Sequence, residues 1–370
     1  MKVAYDHHIF SAQYYGGISR YYAEIATRIH QLEGFQVSIL SPLCINEYMK
    51  TYSSLPVWSL GIDVSWMPQR VIRGFNSALV RAKLRHEPPD VVHETYYLRS
   101  RLAPPKSKTI VTVHDMIHEK FPQYFPSSDN TSKCKKAAVQ RAERIICVSE
   151  STRTDLLNIL EVDPEKVSVV HHGSSEAGAK STDHLVDRPY IAFVGTRVGY
   201  KNFHGLLEVF GMSSFLRNNF AIMCFGGGEF TADELRQAAN LGIDRERLIH
   251  LQGGDEILHQ VYRGASAFVY PSLYEGFGLP TLEAMANECP VICSNTSSLP
   301  EVCGNAAEYF DPNIIEFMAT SIEKVLNSPS LRQELVTRGL QRIKNFSWQR
   351  CAEQTADVYK LACAGEHWVQ

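Results

Sequence analysis

The chain has 370 residues, of which 44% are hydrophobic and 21% charged, and a formal net charge of −3. That length exceeds what one hydrophobic core usually fills, so two domains are expected. The balance excludes a disordered chain and a nucleic-acid-coating one, and no apolar run approaches the ~18 residues of a membrane span.

Charge is spread unevenly: residues 1–172 hold 21 Lys and Arg against 17 Asp and Glu, and the remainder 16 against 23. Nine cysteines form no Cys-x-x-Cys pair, and Met1 opens into "KVAYD", a strand pattern rather than a signal-peptide core. A reducing, cytoplasmic setting is therefore expected.

In chain order, "KVAYD" is followed by the helical pattern "ISRYYAEIATRIHQL", with Ile18, Tyr21, Tyr22, Ile25, Ile29 and Leu32 on one face, and then by "FQVSIL". "DVVHE", "TIVTVHD", "RIICVS" and "VSVVHH" supply further strands, and "STRTDLLNIL" opens a helix on a Ser/Thr cap. The stretch "SSEAGAKSTDHLVDR" is polar, rich in small residues and aperiodic, which marks a linker over 174–188. Strand-helix alternation restarts at "YIAFVG" and runs through "FAIMCFGGG", "RLIHLQG", "AFVYPS" and "PVICSN" to about residue 345. A terminal helical segment over 346–370 is expected to pack across the domains. The pattern predicts an α/β protein of two Rossmann-like parallel-sheet domains, 1–173 and 189–345, facing a central cleft.

The densest chemistry lies in "YPSLYEGFGLPTLEAMA". Pro280 suits the first turn of a helix, so Gly276, Phe277, Gly278 and Leu279 fall at a strand-to-helix turn. A helix N-terminus offers unclaimed N–H groups, and glycine lets an anion approach the backbone. Glu275 precedes the turn. Glu283 lies about one helical turn in and tilts back toward it. Carboxylates accept hydrogen bonds from vicinal hydroxyls but repel phosphate, so a diol–diphosphate–diol ligand, the layout of a nucleotide diphosphate sugar, satisfies all three. The plainer reading makes Glu283 a complement to the helix dipole and Glu275 a solvated loop residue.

"EGFGLPTLEAMA" resembles the Glu-x7-Glu signature of glycosyltransferase family 4, whose members are retaining enzymes of the GT-B fold, and the resemblance covers nearly the whole chain. It implies that 1–173 binds the acceptor and 189–345 the donor, with Glu283 on the ribose diol, the glycine turn on the diphosphate and Glu275 on the transferred sugar. It also implies Arg197 and Lys201 of "GTRVGYKNF" as cations for the leaving group, although Tyr200 stands where the family pattern often has a basic residue. His114 of "TVHDMIHE" would lie beside the donor sugar; as a lone histidine at a strand end it reads otherwise as a structural residue. Gly16 and Gly17 of "YYGGISRYY", and Gly226 of "FGGGEF", would approach the nucleotide, and Gly253 and Gly254 of "LQGGDEI" its base. Each glycine reads otherwise as a plain turn.

"YGGISRYY" is reminiscent of bacterial polysaccharide mannosyltransferases in the family, which points to GDP-mannose as donor, or a UDP-sugar, with a glycan or lipid-linked acceptor. The chain has no Asp-x-Asp and no tetrahedral His/Cys spacing, so neither metal nor cofactor is expected, and nucleic acid is not an expected partner. Residues 66–87 carry Arg70, Arg73, Arg81, Lys83 and Arg85 interleaved with Trp66, Val71, Ile72, Phe75, Leu79 and Val80. They read either as a surface for the inner face of an anionic membrane or as a core-facing helix with a solvated basic side. Two rival functions stand beside the transferase: a glycoside hydrolase using Glu275 and Glu283, and a non-catalytic nucleotide-sugar-binding protein.

Overall fold

Residues 1–51, 56–64, 66–174, 185–197 and 199–364 are described by the computed structural model. The chain divides into two compact units, Met1–Gly173 with Ser347–Gln370, and Ser174–Phe346. The linker expected over 174–188 falls mainly on 175–184, outside the described residues.

In the first unit the described strands are β1 (Lys2–Tyr5), β2 (Gln36–Leu40), β3 (Val57–Trp58), β4 (Val91–Glu94), β5 (Lys108–Val113), β6 (Arg144–Cys147) and β7 (Val167–Val169). They form one sheet in the order β3-β2-β1-β4-β5-β6-β7, all pairs parallel, with Val3 opposite Val37 on one side and Val91 on the other. Every residue of β4 and β6 is buried, as expected of strands covered on both faces by crossover helices. The helix Gly17–Gln31 buries Tyr21, Tyr22, Ile25 and Ile29, the stripe its 3.6-residue periodicity demands.

The terminal helix Trp348–Ala364 packs on Gly17–Gln31 and is sewn into this first sheet by polar contacts. Its Tyr359 hydroxyl lies 2.8 Å from the Tyr5 hydroxyl and 2.6 Å from His93 Nδ1, and His93 Nε2 lies 2.9 Å from Thr112 Oγ1. A buried hydroxyl without a partner costs about 1–3 kcal/mol, so this chain of partners fixes the helix's register. Gly173 is required by the same docking, since a Cβ there would stand 2.2 Å from the Trp348 backbone nitrogen.

The second unit holds β8 (Tyr190–Val194), β9 (Ala221–Phe225), β10 (Leu248–Leu251), β11 (Ala267–Tyr270), β12 (Val291–Ser294) and β13 (Ala307–Phe310). Their order is β10-β9-β8-β11-β12-β13, again parallel, with Ala267 paired to Ile191 and Phe268 to Val291. Ile191, Phe193, Phe203, Leu206, Phe210, Ile222, Val269 and Phe310 form the core on one face.

In both sheets the chain starts at an inner strand, builds outward, then returns to build the other way. The order reverses between β1 and β4, and between β8 and β11. Loops leaving the carboxyl ends of such a strand pair diverge, and the crevice they leave is where ligands bind in open α/β sheets.

Candidate functional site

The loops that follow β8 and β11 flank the reversal point of the second sheet. They carry Lys201 and Glu275. Lys201 Nζ lies 2.6 Å from Glu275 Oε1 and 3.0 Å from the Tyr270 hydroxyl, with its charge 5.1 Å from the Tyr270 ring centre. Burial, then the Glu275 carboxylate, holds the Tyr270 hydroxyl well above its ordinary pKa, so it stays a neutral donor. Glu275 is only 7% exposed. Its backbone N–H donates to Ser297 Oγ (2.9 Å), and Ser298 Oγ donates to the carbonyls of Glu275 (2.9 Å) and Phe277 (3.0 Å). The turn is thus clamped from the segment after β12.

The helix runs from Leu279 to Ala286, with Pro280 in its first turn and Gly278 as the capping residue at φ 100°, ψ 42°. That left-handed conformation costs any other L-residue about 1–2 kcal/mol, and a Cβ would also meet Leu299 Cδ2 at 2.8 Å. The N–H groups of Gly278 and Leu279 make no hydrogen bond to the described residues, as the first amides of a helix must unless a cap or ligand takes them. Every residue from Thr281 to Ala286 is buried. Glu283 among them is 9% exposed, and the Tyr262 hydroxyl donates to its Oε2 at 3.2 Å.

Arg197 is committed elsewhere in the same unit. Its Nε donates to Glu234 Oε1 (2.7 Å), its Nη1 to the Gly226 carbonyl (3.3 Å) and its Nη2 to the carbonyls of Gly228 (2.9 Å) and Glu229 (2.8 Å). The guanidinium also lies 4.6 Å from the Phe230 ring centre. It braces a loop in which Gly226, Gly227 and Gly228 all have positive φ; at Gly227 a Cβ would stand 2.8 Å from the Gly195 carbonyl. Gly253 and Gly254 follow β10, Gly254 capping the helix Asp255–Gly264.

Gly16, Gly17 and His114 belong to the first unit. Gly16 caps the helix that Gly17 opens. His114, 7% exposed, follows β5 with no hydrogen-bond partner for its Nε2 among the described residues and its ring 5.3 Å from Tyr21 and 6.0 Å from His172. Burial pushes its pKa down to about 4, which keeps the imidazole neutral.

Sequence reasoning missed Tyr270, Tyr262, Ser298 and Glu234. Glu234 alone carried a local signal, as the fourth residue of the capping box Thr231-x-x-Glu234; its pairing with Arg197 spans 37 residues. Among the described residues no group of three or more His, Cys, Asp or Glu could hold a metal ion, and no helix is long and apolar enough to cross a membrane.

Comparison with known proteins identifies the family and the fold. Residues 15–175 match the Glycosyltransferase Family 4 model and residues 175–342 the Glycosyl transferases group 1 model. O-antigen chain mannosyltransferase B of Escherichia coli is 32% identical over 288 residues, 72% of each chain. A sucrose-phosphate synthase from Thermosynechococcus elongatus superposes with a TM-score of 0.75 over 99% of both chains at 18% identity. Anabaena HepE, solved with UDP and glucose, gives 0.74 over 96% of this chain and 98% of its own at 14% identity. These two share the fold, that of GT-B glycosyltransferases. With both domain models matched in order and a relative above 30% identity, the chain belongs to the glycosyl transferases of group 1, its first domain being that of family 4.

Proposed function

We propose that this glycosyltransferase moves a hexose, mannose in the first instance, from a nucleotide diphosphate sugar to a glycan or lipid-linked acceptor in polysaccharide synthesis, with retention at the anomeric carbon. The observation that carries the reading is the turn 275–283: two unclaimed amides at a helix start, with one buried carboxylate before them and another after. The E. coli relative, named for O-antigen mannose transfer, supports mannose and hence GDP-mannose.

In this reading the diphosphate sits on the Gly278 and Leu279 amides, and Glu283, steadied by Tyr262, accepts from the ribose diol. Glu275 accepts from hydroxyls of the hexose. Lys201, already paired with Glu275, supplies the cation that stabilises the departing diphosphate, and no metal ion is called on. As the anomeric C–O bond breaks, the acceptor oxygen attacks from the face the phosphate leaves, and a phosphate oxygen takes the acceptor's proton. Arg197, with its guanidinium occupied, shapes the glycine loop rather than touching phosphate.

Calorimetry with GDP-, UDP-, ADP- and dTDP-sugars tests the donor, because a ligand that binds only the folded chain also stabilises it. Binding of GDP-mannose well ahead of the others, and an NMR-defined product with the donor's anomeric configuration, is the expected result. No response to any of the four would reject the proposal.

A further inference from the structure

Among the described residues three that are not glycine have positive φ: Asn202 at 54°, Glu288 at 59° and Ser297 at 51°. Two of them have a local reason. Asn202 caps the helix Phe203–Met212, and asparagine tolerates this region better than most residues. Glu288 follows the end of the helix Leu279–Ala286, where a left-handed residue is a common way to finish a helix. Ser297 has no such reason. The Thr296 carbonyl accepts the Leu299 N–H at 3.2 Å, closing a four-residue turn in which Ser297 is second and Ser298, at φ −77° and ψ −11°, is third. Positive φ at the second position followed by negative φ at the third is the pattern of a type II′ turn, which asks for glycine.

The serine supplies what glycine could not, an oxygen. Ser297 Oγ accepts the Glu275 N–H at 2.9 Å, and Ser298 Oγ donates to the Glu275 carbonyl at 2.9 Å. Consecutive side chains of an extended strand point to opposite sides, whereas at this turn two of them take both backbone groups of one residue. Thr296 Oγ1 donates to the Leu273 carbonyl (3.2 Å), and the Leu273 N–H donates to the carbonyl of Tyr200 (2.8 Å), the residue before Lys201. The backbone of Glu275 is thus fixed on both sides, and its loop is tied to the loop of Lys201, which meets its carboxylate at 2.6 Å. A backbone conformation that is unfavourable in isolation persists where its surroundings over-determine it, and such positions cluster at functional sites.

We propose that Ser297 is a positioning residue for sugar transfer: it occupies a glycine conformation, holds the Glu275 amide from there, and so aims the Glu275 carboxylate at Lys201 and at the transferred sugar. The contact with sugar rests on the function proposed above, while the hold on the Lys201–Glu275 pair stands on the residues themselves.

Ser297→Gly separates this role from a merely structural one, because glycine keeps the turn and relieves the strained φ while deleting the oxygen. The urea midpoint should stay level or rise; KM for the nucleotide sugar should change by less than about threefold, and kcat should fall by roughly tenfold or more. Ser297→Ala, which keeps the strain, should slow transfer as much and lower the midpoint as well. In a Glu275→Gln background Ser297→Gly should cost no further rate, as expected of a residue that acts through another. A crystal structure of the Ser297→Gly protein reads the same claim without turnover: Lys201 Nζ and Glu275 Oε1 should part beyond hydrogen-bonding distance. A kcat within about twofold of the parent's, or an unmoved Lys201–Glu275 pair in that structure, would overturn the inference. A displaced pair in a chain that transfers no sugar even before substitution would strike the proposed function alone.

Discussion

Lys201 and Glu275 come from loops 74 residues apart and meet at 2.6 Å, both largely buried, their side chains 14% and 9% exposed. Neither charge is tolerable there alone. Removing one partner of a buried pair leaves the other desolvated and uncompensated, typically at 3–5 kcal/mol, and the residual exposure here puts the cost nearer about 2 kcal/mol. Lys201→Gln should therefore lower the denaturation midpoint, and it should reduce kcat by roughly 10²–10³ as the leaving diphosphate loses its cation. Urea titration and steady-state kinetics check the two effects. The double variant Lys201→Gln/Glu275→Gln should recover the stability without recovering the rate.

Glu283 and Glu275 should separate kinetically. Glu283→Ala is expected to weaken nucleotide binding at least tenfold, since charge-assisted hydrogen bonds contribute about 1.5–3 kcal/mol, while Glu275→Ala chiefly lowers kcat. Tyr262→Phe, which only unsteadies Glu283, should have a smaller effect in the same direction as Glu283→Ala. Undiminished GDP affinity in Glu283→Ala would dismiss the ribose assignment.

Gly278→Ala forces a side chain into φ 100° and against Leu299. A loss of about 1–3 kcal/mol is expected, together with weaker GDP binding as the Gly278 and Leu279 amides shift. Leu299→Ala in the same chain should relieve the contact but not the backbone strain, so only part of the stability should return.

Arg197→Ala should act through the loop it braces. Glu234 would lose its partner and the carbonyls of Gly226, Gly228 and Glu229 theirs, so Arg197→Ala and Glu234→Ala should be far from additive in a double-mutant cycle. Additive losses would show the two side chains to be energetically independent.

Burial holds six histidines of the first unit below their ordinary range: His7 and His93 to about 3, His8 and His114 to about 4, with His118 and His172 lowered as well. Each is neutral when folded and takes up a proton on unfolding once the pH falls below about 6.5, so stability is full above that value and is lost as pH drops toward 4. Glu94, pushed up to about 7 by burial, and Asp6, also raised, work the other way but are fewer. Urea midpoints measured from pH 7 to pH 4.5 should fall steeply, and His114→Gln should flatten the slope. A midpoint independent of pH over that span would contradict the assignment of neutral histidines.

The strands were legible because parallel strands covered on both faces are written as short apolar runs: "DVVHE" and "RIICVS" contain β4 and β6. Pro280 and Gly278 marked the start of the helix Leu279–Ala286 because the constraint is local, fixed φ in one residue and a permitted positive φ in the other. Arg197 shows the opposite case. As a cation two residues beyond a glycine at a strand end it looked free for phosphate, and nothing nearby in sequence announced that Glu234 and three distant carbonyls would occupy it.

The sequence alone therefore determined the α/β alternation, the positions of the helix starts and the presence of two carboxylates eight positions apart on either side of a glycine turn, because periodicity, capping and backbone freedom act over a few residues. Tertiary structure decided the strand order, and with it the reversal points that gather Lys201 with Glu275 and Asp6 with Thr95. Those pairings depend on desolvation and on contacts across 74 to 89 positions of chain, where the energy of a side chain is set by what packs against it and not by its neighbours in sequence.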